Sequence, residues 1–285
     1  MKHLGLAGGI LLFAALLQAC SSAPSRGGYY QDDGPQAAPS DITVISDAVV
    51  KNEPLSRSGN EPYQVFGKTY IPLKTTEGYH ERGVASWYGK KYHGKRTSNG
   101  EKYDMFSMSA AHKTLPLPSY VRVRNLQNGR SVIVRVNDRG PFLENRLIDL
   151  SYAAAIKLGI APAGTGLVEV EAVTSNAPAS TLVSVPTHTV HVSTTNPANN
   201  TMAVVPPNPQ IFVQMGAFNS WTNAEKLRAR LEHADFKPIH IYSNAQDRAK
   251  LYRVRVGPLP SIAASDEIIQ RAHASGISGA IIAIE

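Results

Sequence analysis

Four carboxylates and a histidine in one stretch of this chain are its best candidates for proton-transfer chemistry: Glu101, Asp104, His112, Asp138 and Asp149. Asp138 leaves the apolar run Ser131–Val136 for the turn Arg139-Gly140-Pro141. A carboxyl facing a cleft there is partly desolvated and keeps its proton longer than in water. Asp138 is thus the first choice for a general acid, although the turn also suits an aspartate that only accepts backbone N–H bonds. Asp149 is the rival; it stands just ahead of a short helix and can serve that helix start instead. His112 is the candidate for holding or exchanging the proton. Glu101 and Asp104 flank Lys102-Tyr103 in a loop containing Gly100, placed to bind hydroxyls, to tune His112, or to stand as solvated charges. Trp87 and Tyr88 offer flat faces to a ligand, but strand alternation sends one of them inward. His112, His93 and the carboxylates lack metal-ligand spacing, so no metal is expected. Phosphate-loop and dinucleotide fingerprints are missing, so no cofactor is expected.

The elements that position these groups read as short strands. Gly83–Gly89, Tyr120–Arg124, Ser131–Val136 and Leu167–Val173 are strand-like, and Asn128-Gly129 is a hairpin turn. A single helix fits Ser151–Leu158, capped by Ser151 and ended by Gly159. Residues 78–174 therefore predict a closed barrel. Residues 175–208 hold five prolines and no charged side chain, which is a disordered-linker composition. Residues 209–285 change rhythm to βαββαβ, an α+β unit with helices on one sheet face and the other face open. In its first helix Thr222-Asn223-Ala224-Glu225 reads as a capping box, and Ala224, Leu227, Leu231 and Ala234 share a face. Its strands place Gln214, Leu251, Arg253 and Arg255 on the open face, with Gly257-Pro258 closing the strand that holds the two arginines.

At the N-terminus, Lys2 and His3 precede the apolar run Leu4–Leu17 and then Leu17-Gln18-Ala19-Cys20. The run is too short to span a bilayer comfortably and reads as an export signal over 1–19. The last four residues resemble a bacterial lipobox, with Cys20 as the acylated residue. Lipidation would use the only thiol, which suits an oxidising compartment. Ser21 after the cysteine resembles lipoproteins sent to the outer membrane. Residues 20–77, rich in Ser, Pro, Gly, Asp and Asn, read as a flexible tether with local order near Tyr63–Leu73. The basic excess lies in residues 78–174, where fourteen Lys and Arg meet eight Asp and Glu. In an exported protein that balance points away from nucleic acid and toward an anionic wall polymer.

Thr97–Asp104, Ala110–Pro116, Val136–Phe142 and Arg146–Ser151 together closely resemble the rare lipoprotein A family. That resemblance implies a double-psi β-barrel over about 80–173, shared with expansins and some glycoside hydrolases. Ile148-Asp149-Leu150-Ser151 resembles the expansin and hydrolase Phe-Asp-Leu-Ser site, which is what raises Asp149 as the rival acid. Residues 209–285, with Val213–Phe218 and Tyr252–Pro258, resemble a sporulation-related repeat (SPOR) domain, although Leu259 stands where that family often has an aromatic. The expected protein is a septal, lipid-anchored lytic transglycosylase that acts on peptidoglycan strands stripped of stem peptides. It leaves 1,6-anhydro ends and meets divisome proteins. Trp87 and Tyr88 would stack on sugars, and Gln214, Leu251, Arg253 and Arg255 would bind glycan. Cleaving a glycosidic bond needs an acid at the leaving oxygen. If the C6 hydroxyl of the same sugar attacks, no second carboxylate has to activate water. A non-catalytic expansin-like binder and a hydrolase using Asp138 and Asp149 as acid and base remain open alternatives.

Overall fold

The computed structural model describes residues 42–174, 209–243 and 251–285. The export signal, Cys20 and the 175–208 linker lie outside the described residues. A two-stranded hairpin (β1, Tyr63–Val65; β2, Lys68–Tyr70) precedes six strands: β3 (His80–Tyr88), β4 (Ser109–His112), β5 (Ser119–Asn125), β6 (Ser131–Asp138), β7 (Ile148–Ser151) and β8 (Gly166–Ala172). These six close into a barrel in the order β3-β7-β4-β6-β5-β8. Pairs β3–β7 and β4–β6 are parallel and the other four antiparallel, which gives the double-psi crossing.

Period-two patterning drives this closure. Val121, Val123, Val132, Val134 and Val136 are fully buried, while Arg122 and Arg124 point outward and pair across the ladder with Glu171 and Glu169. Helix α1 (Tyr152–Leu158) is capped as its sequence suggests: Ser151 Oγ accepts from Ala154 N, and Gly159 ends it at φ +74°.

The tether reading needs correction from Ile42 onward. Residues 42–77 form a strap on the barrel rather than a free chain. Ile42 is buried beneath α1, Ala48 N bonds Ile133 O, and Ser56 N bonds Leu117 O. Asp47 accepts from Ile133 N and Lys157, and Glu53 pairs with Arg135. Composition missed this because a strap needs few apolar residues when its polar groups bond a folded surface.

The C-terminal unit has strands β9 (Ile211–Phe218), β10 (Ile239–Ser243), β11 (Tyr252–Leu259) and β12 (Ile281–Ile284), with helices α2 (Trp221–His233) and α3 (Ile262–Ala274). The sheet order is β10-β11-β9-β12, all antiparallel. Val213, Met215, Val254, Val256, Ala224, Leu231 and Ile269 pack between sheet and helices. Two local expectations fail. Helix α2 begins after Ser220, so Thr222 lies inside it and cannot cap it; the capping box does not form, and Glu225 is engaged by Arg228 instead. Strand β11 continues through Gly257-Pro258 to Leu259 with a register shift, instead of stopping there. The two units touch where Val84 and Leu167 meet Ile211 and Ile262. Beside them Arg146 donates to both oxygens of Asp266, at 3.1 and 2.6 Å.

Candidate active site

Strand register brings two of the aspartates together. Asp138 on β6 pairs with Ala111 on β4, Ala111 pairs with Asp149 on β7, and Asp149 pairs with Ser86 on β3. Paired residues share a face, so Asp138, Asp149 and Ser86 form one row across four strands. Asp138 joins it because β6 shifts register by one residue, Asn137, between Val136 and Asp138. Gly140, at φ +141°, then carries the chain past the row. A Cβ there would lie 3.8 Å from Asp149 Oδ2 and 4.0 Å from the Phe142 ring.

The two aspartates live in different surroundings. Asp138 Oδ1 accepts from Ser98 N (2.8 Å), Ser98 Oγ (2.7 Å) and Arg139 N (2.8 Å). Asp149 accepts from Ser86 Oγ at 2.5 Å, and its helix-start role is absent because Ser151 does the capping. Burial pushes the Asp149 carboxyl up to about 6. The Ser86 hydrogen bond and the cations of Lys113 and Arg146 oppose that rise, and the charge of Asp138 adds to it. Burial also lowers Lys113, whose ammonium donates to Arg146 O.

His112 follows Ala111 on β4 and so faces the opposite way from the carboxylate row. Its Nδ1 accepts from Thr114 N (3.1 Å) and Leu115 N (2.9 Å), which leaves the proton on Nε2. Nε2 lies 2.9 Å from Tyr79 Oη, and Tyr79 Oη donates to Glu81 at 2.9 Å. Burial, reinforced by Lys113 and Arg139, drops the imidazole to about 3. His112 is therefore a neutral residue that fixes the turn after β4. Neither Glu101 nor Asp104 reaches it. Glu101 bonds Arg135 (2.8 and 2.9 Å) and Asn137 (2.9 Å). Burial pushes Glu101 up, but these donors outweigh it and hold the carboxyl below its usual range. Asp104 instead sits 3.7 Å from His93 and caps Phe106 N.

Trp87 and Tyr88 need correcting as sugar platforms, because both are buried. Helix α1 covers one side of β3, where Trp87 packs 5.2 Å from Tyr152, and the 89–107 loop covers the other, where Tyr88 stacks 3.9 Å from Tyr103. The aromatics that face a cleft are Phe66, Tyr70 and Phe142. They line a 530 Å³ space with Lys68, His112 and Lys113, and Gly279–Ile282 of the C-terminal unit form its far edge. Sequence reasoning also passed over Ser86, Ser98, Lys113 and Arg139. Arg139 is buried and donates to Gly59 O, His112 O and Leu115 O, tying strap to barrel. Among the described residues no group of three or more His, Cys, Asp or Glu is arranged to hold a metal ion.

On the C-terminal sheet, Gln214 pairs with Arg255, and Arg253 pairs with Ala217 on one side and Tyr242 on the other. Leu251 directly precedes β11. Arg255 is less available than alternation implies. Its guanidinium lies 5.1 Å over Tyr242 and 6.0 Å from Phe212, and it pairs with Glu285.

Residues 80–172 match a family model described as lytic transglycolase, and residues 207–283 match the SPOR domain model. The chain is 39% identical over 312 residues to the endolytic peptidoglycan transglycosylase RlpA of Pseudomonas aeruginosa, covering 91% of this chain and 89% of that protein. It is 52% identical over 168 residues to the protein of the same name from Vibrio cholerae, covering 59% of this chain and 64% of that one. With the protein of that name from Neisseria meningitidis serogroup B it shares 57% identity over 129 residues, 45% of this chain and 54% of that one. Similarity at this level, running through the barrel and on into the C-terminal unit, makes the chain a member of the RlpA family.

Proposed function

We propose that this chain is a peptidoglycan lytic transglycosylase in which Asp149 is the general acid and Asp138 the fixed carboxylate that steadies the developing cation. The reading rests on one observation: two aspartates share a row, and the one starved of donors has a carboxyl raised to about 6. In the first step the Asp149 proton passes to the leaving O4 as the C1–O4 bond breaks. Positive charge then builds on C1 and the ring oxygen, where the carboxylate of Asp138, immobilised by Ser98 and Arg139, stabilises it. The C6 hydroxyl of the same sugar attacks C1 and returns its proton to Asp149, leaving a 1,6-anhydro end with no water consumed. Glu101 acts as a positioning residue through Asn137, the neighbour of Asp138. His112 and Arg139 hold the turn behind the cleft.

In the same reading Cys20 carries the lipid that anchors the protein in the outer membrane facing the periplasm. The SPOR unit holds stripped glycan at the division septum through Gln214, Leu251 and Arg253, with Arg255 supporting that face. Tethering raises the local substrate concentration for the barrel. Mass spectrometry of stripped glycan incubated with the protein lacking residues 1–20 is the test. Anhydro-muramyl ends support the proposal. New reducing ends would make the chain a hydrolase, and no new ends would make it a binder.

A further inference from the structure

The most exposed large aromatic in the barrel region sits where a fold would not choose it. Phe66 occupies the two-residue turn Phe66-Gly67 between β1 and β2, with φ +49°, and is 92% exposed. Such turns favour Asn-Gly, because a bulky side chain in the left-handed region costs about 1–2 kcal/mol. Phe66 gains nothing from burial to offset that cost, so its use lies outside the fold. Behind it the strap builds a layered aromatic surface. Tyr63 and Tyr70 stack at 5.3 Å, Phe142 lies 5.7 Å from Tyr70, and Tyr63 is fixed by its bond to Lys113 O at 2.7 Å. Phe66, Tyr70 and Phe142 line the same cleft as Lys113. The Phe142 ring and Asp149 Oδ2 each lie within 4.0 Å of one point above Gly140. The shelf therefore ends about one sugar ring from the reacting carboxyl. Lys68 lines the cleft as well, with its ammonium over the Tyr70 ring at 5.6 Å from the centroid.

We propose that the β1–β2 hairpin and Phe142 form a sugar-stacking subsite beside the cleavage point, with Lys68 facing the lactyl carboxylate of a stripped muramyl residue. This rests on the reading of Asp149 as the acid for its place in the reaction, but not for binding itself. Apolar sugar faces lie flat on Phe66 and Tyr70, as ligands do in pockets of aromatic walls with few polar groups. A cation beside them selects strands whose lactyl groups are free.

The test uses the protein lacking residues 1–20 and its Phe66→Ala, Tyr70→Ala, Tyr70→Phe and Lys68→Ala variants. Hydrogen exchange is followed in peptides covering residues 61–72, with stripped glycan tetrasaccharide or chitin tetrasaccharide in excess, beside KM and kcat on soluble stripped glycan. Expected are at least threefold slower exchange with stripped glycan, lost in Phe66→Ala and Tyr70→Ala and kept in Tyr70→Phe. KM should rise about tenfold in those two alanine variants with kcat within twofold. Lys68→Ala should weaken protection by stripped glycan but not by chitin tetrasaccharide. Unchanged exchange in wild type, or protection that survives both aromatic-to-Ala changes, overturns the subsite. Activity retained by Asp149→Asn would overturn the catalytic reading instead and leave the exchange result standing.

Discussion

The barrel treats two carboxylate regions in opposite ways. Around Glu101 donors are abundant: Arg135 bridges it to Glu53 on the strap, Asn137 adds a third bond, and Tyr120 donates to Glu53. Around Asp149 one serine hydroxyl meets a half-buried carboxyl. The first region stays partly open to water and holds its carboxyls low, Glu53 at about 2 chiefly through the Arg135 hydrogen bond, while burial in the second lifts Asp149 to about 6. A desolvated carboxyl with one donor keeps its proton, and a half-open carboxyl with several donors gives it up.

The largest expected effect comes from filling the donor-poor site with a neutral isostere. Asp149→Asn should lower turnover on stripped glycan about a thousandfold, within the span of general-acid catalysis. The same change should stabilise the fold at neutral pH by about 1–3 kcal/mol. A carboxyl raised from 3.8 to about 6 on folding gives full stability below pH 4 and loses it as pH rises through 6, a loss the amide avoids. Thermal unfolding of both proteins at pH 7 checks this; a lower Tm for the variant would break the contrast.

His112→Ala should cost about 2–4 kcal/mol by orphaning the buried N–H of Leu115 and the half-buried N–H of Thr114, measurable by urea unfolding. The wild-type imidazole carries its own pH signature. Held at about 3 when folded against 6.5 free, it supports stability above pH 6.5 and withdraws that support as pH falls toward 3. On the donor-rich side, Glu53→Gln should cost about 1–2 kcal/mol at pH 7, reduced from the full shift because the pair is partly exposed. That support exists above pH 4.5 and disappears toward pH 2, so wild type and variant should converge in acid. Ser98→Ala should be smallest in stability, about 1 kcal/mol, and should slow turnover about tenfold by loosening Asp138.

Much of this was legible in the sequence because it follows from short-range rules. Alternation in Tyr120–Arg124 and Ser131–Val136, the Asn128-Gly129 turn and the Ser151 and Gly159 caps placed β5, β6 and α1 directly, whereas the short strands β4 and β7 went unread. The two aspartates were also visible, since each stands in a strand end or turn that a motif marks. Their order was not visible, because it depends on which strands become neighbours. Ser86 reaches Asp149 across a parallel pairing, and Ser98 reaches Asp138 from a separate loop. The strap was hidden for a related reason: Asp47, Glu53 and Asn60 look like tether residues until the barrel supplies their partners. Trp87 and Tyr88 misled because α1 and a loop cover both sides of the C-terminal end of β3, leaving neither ring to solvent.

The most direct measurement of the central claim is the pH dependence of kcat/KM on stripped glycan for wild type, Ser86→Ala and Ser98→Ala. With Asp149 as the acid, activity falls as pH rises through about 6. Removing the Ser86 hydroxyl takes away the bond that favours the charged form, so the falling limb should move to higher pH by about half a unit to one unit. Ser98→Ala should lower the rate and leave the limb in place. A limb that moves with Ser98→Ala and ignores Ser86→Ala would assign the proton to Asp138 and contradict the account.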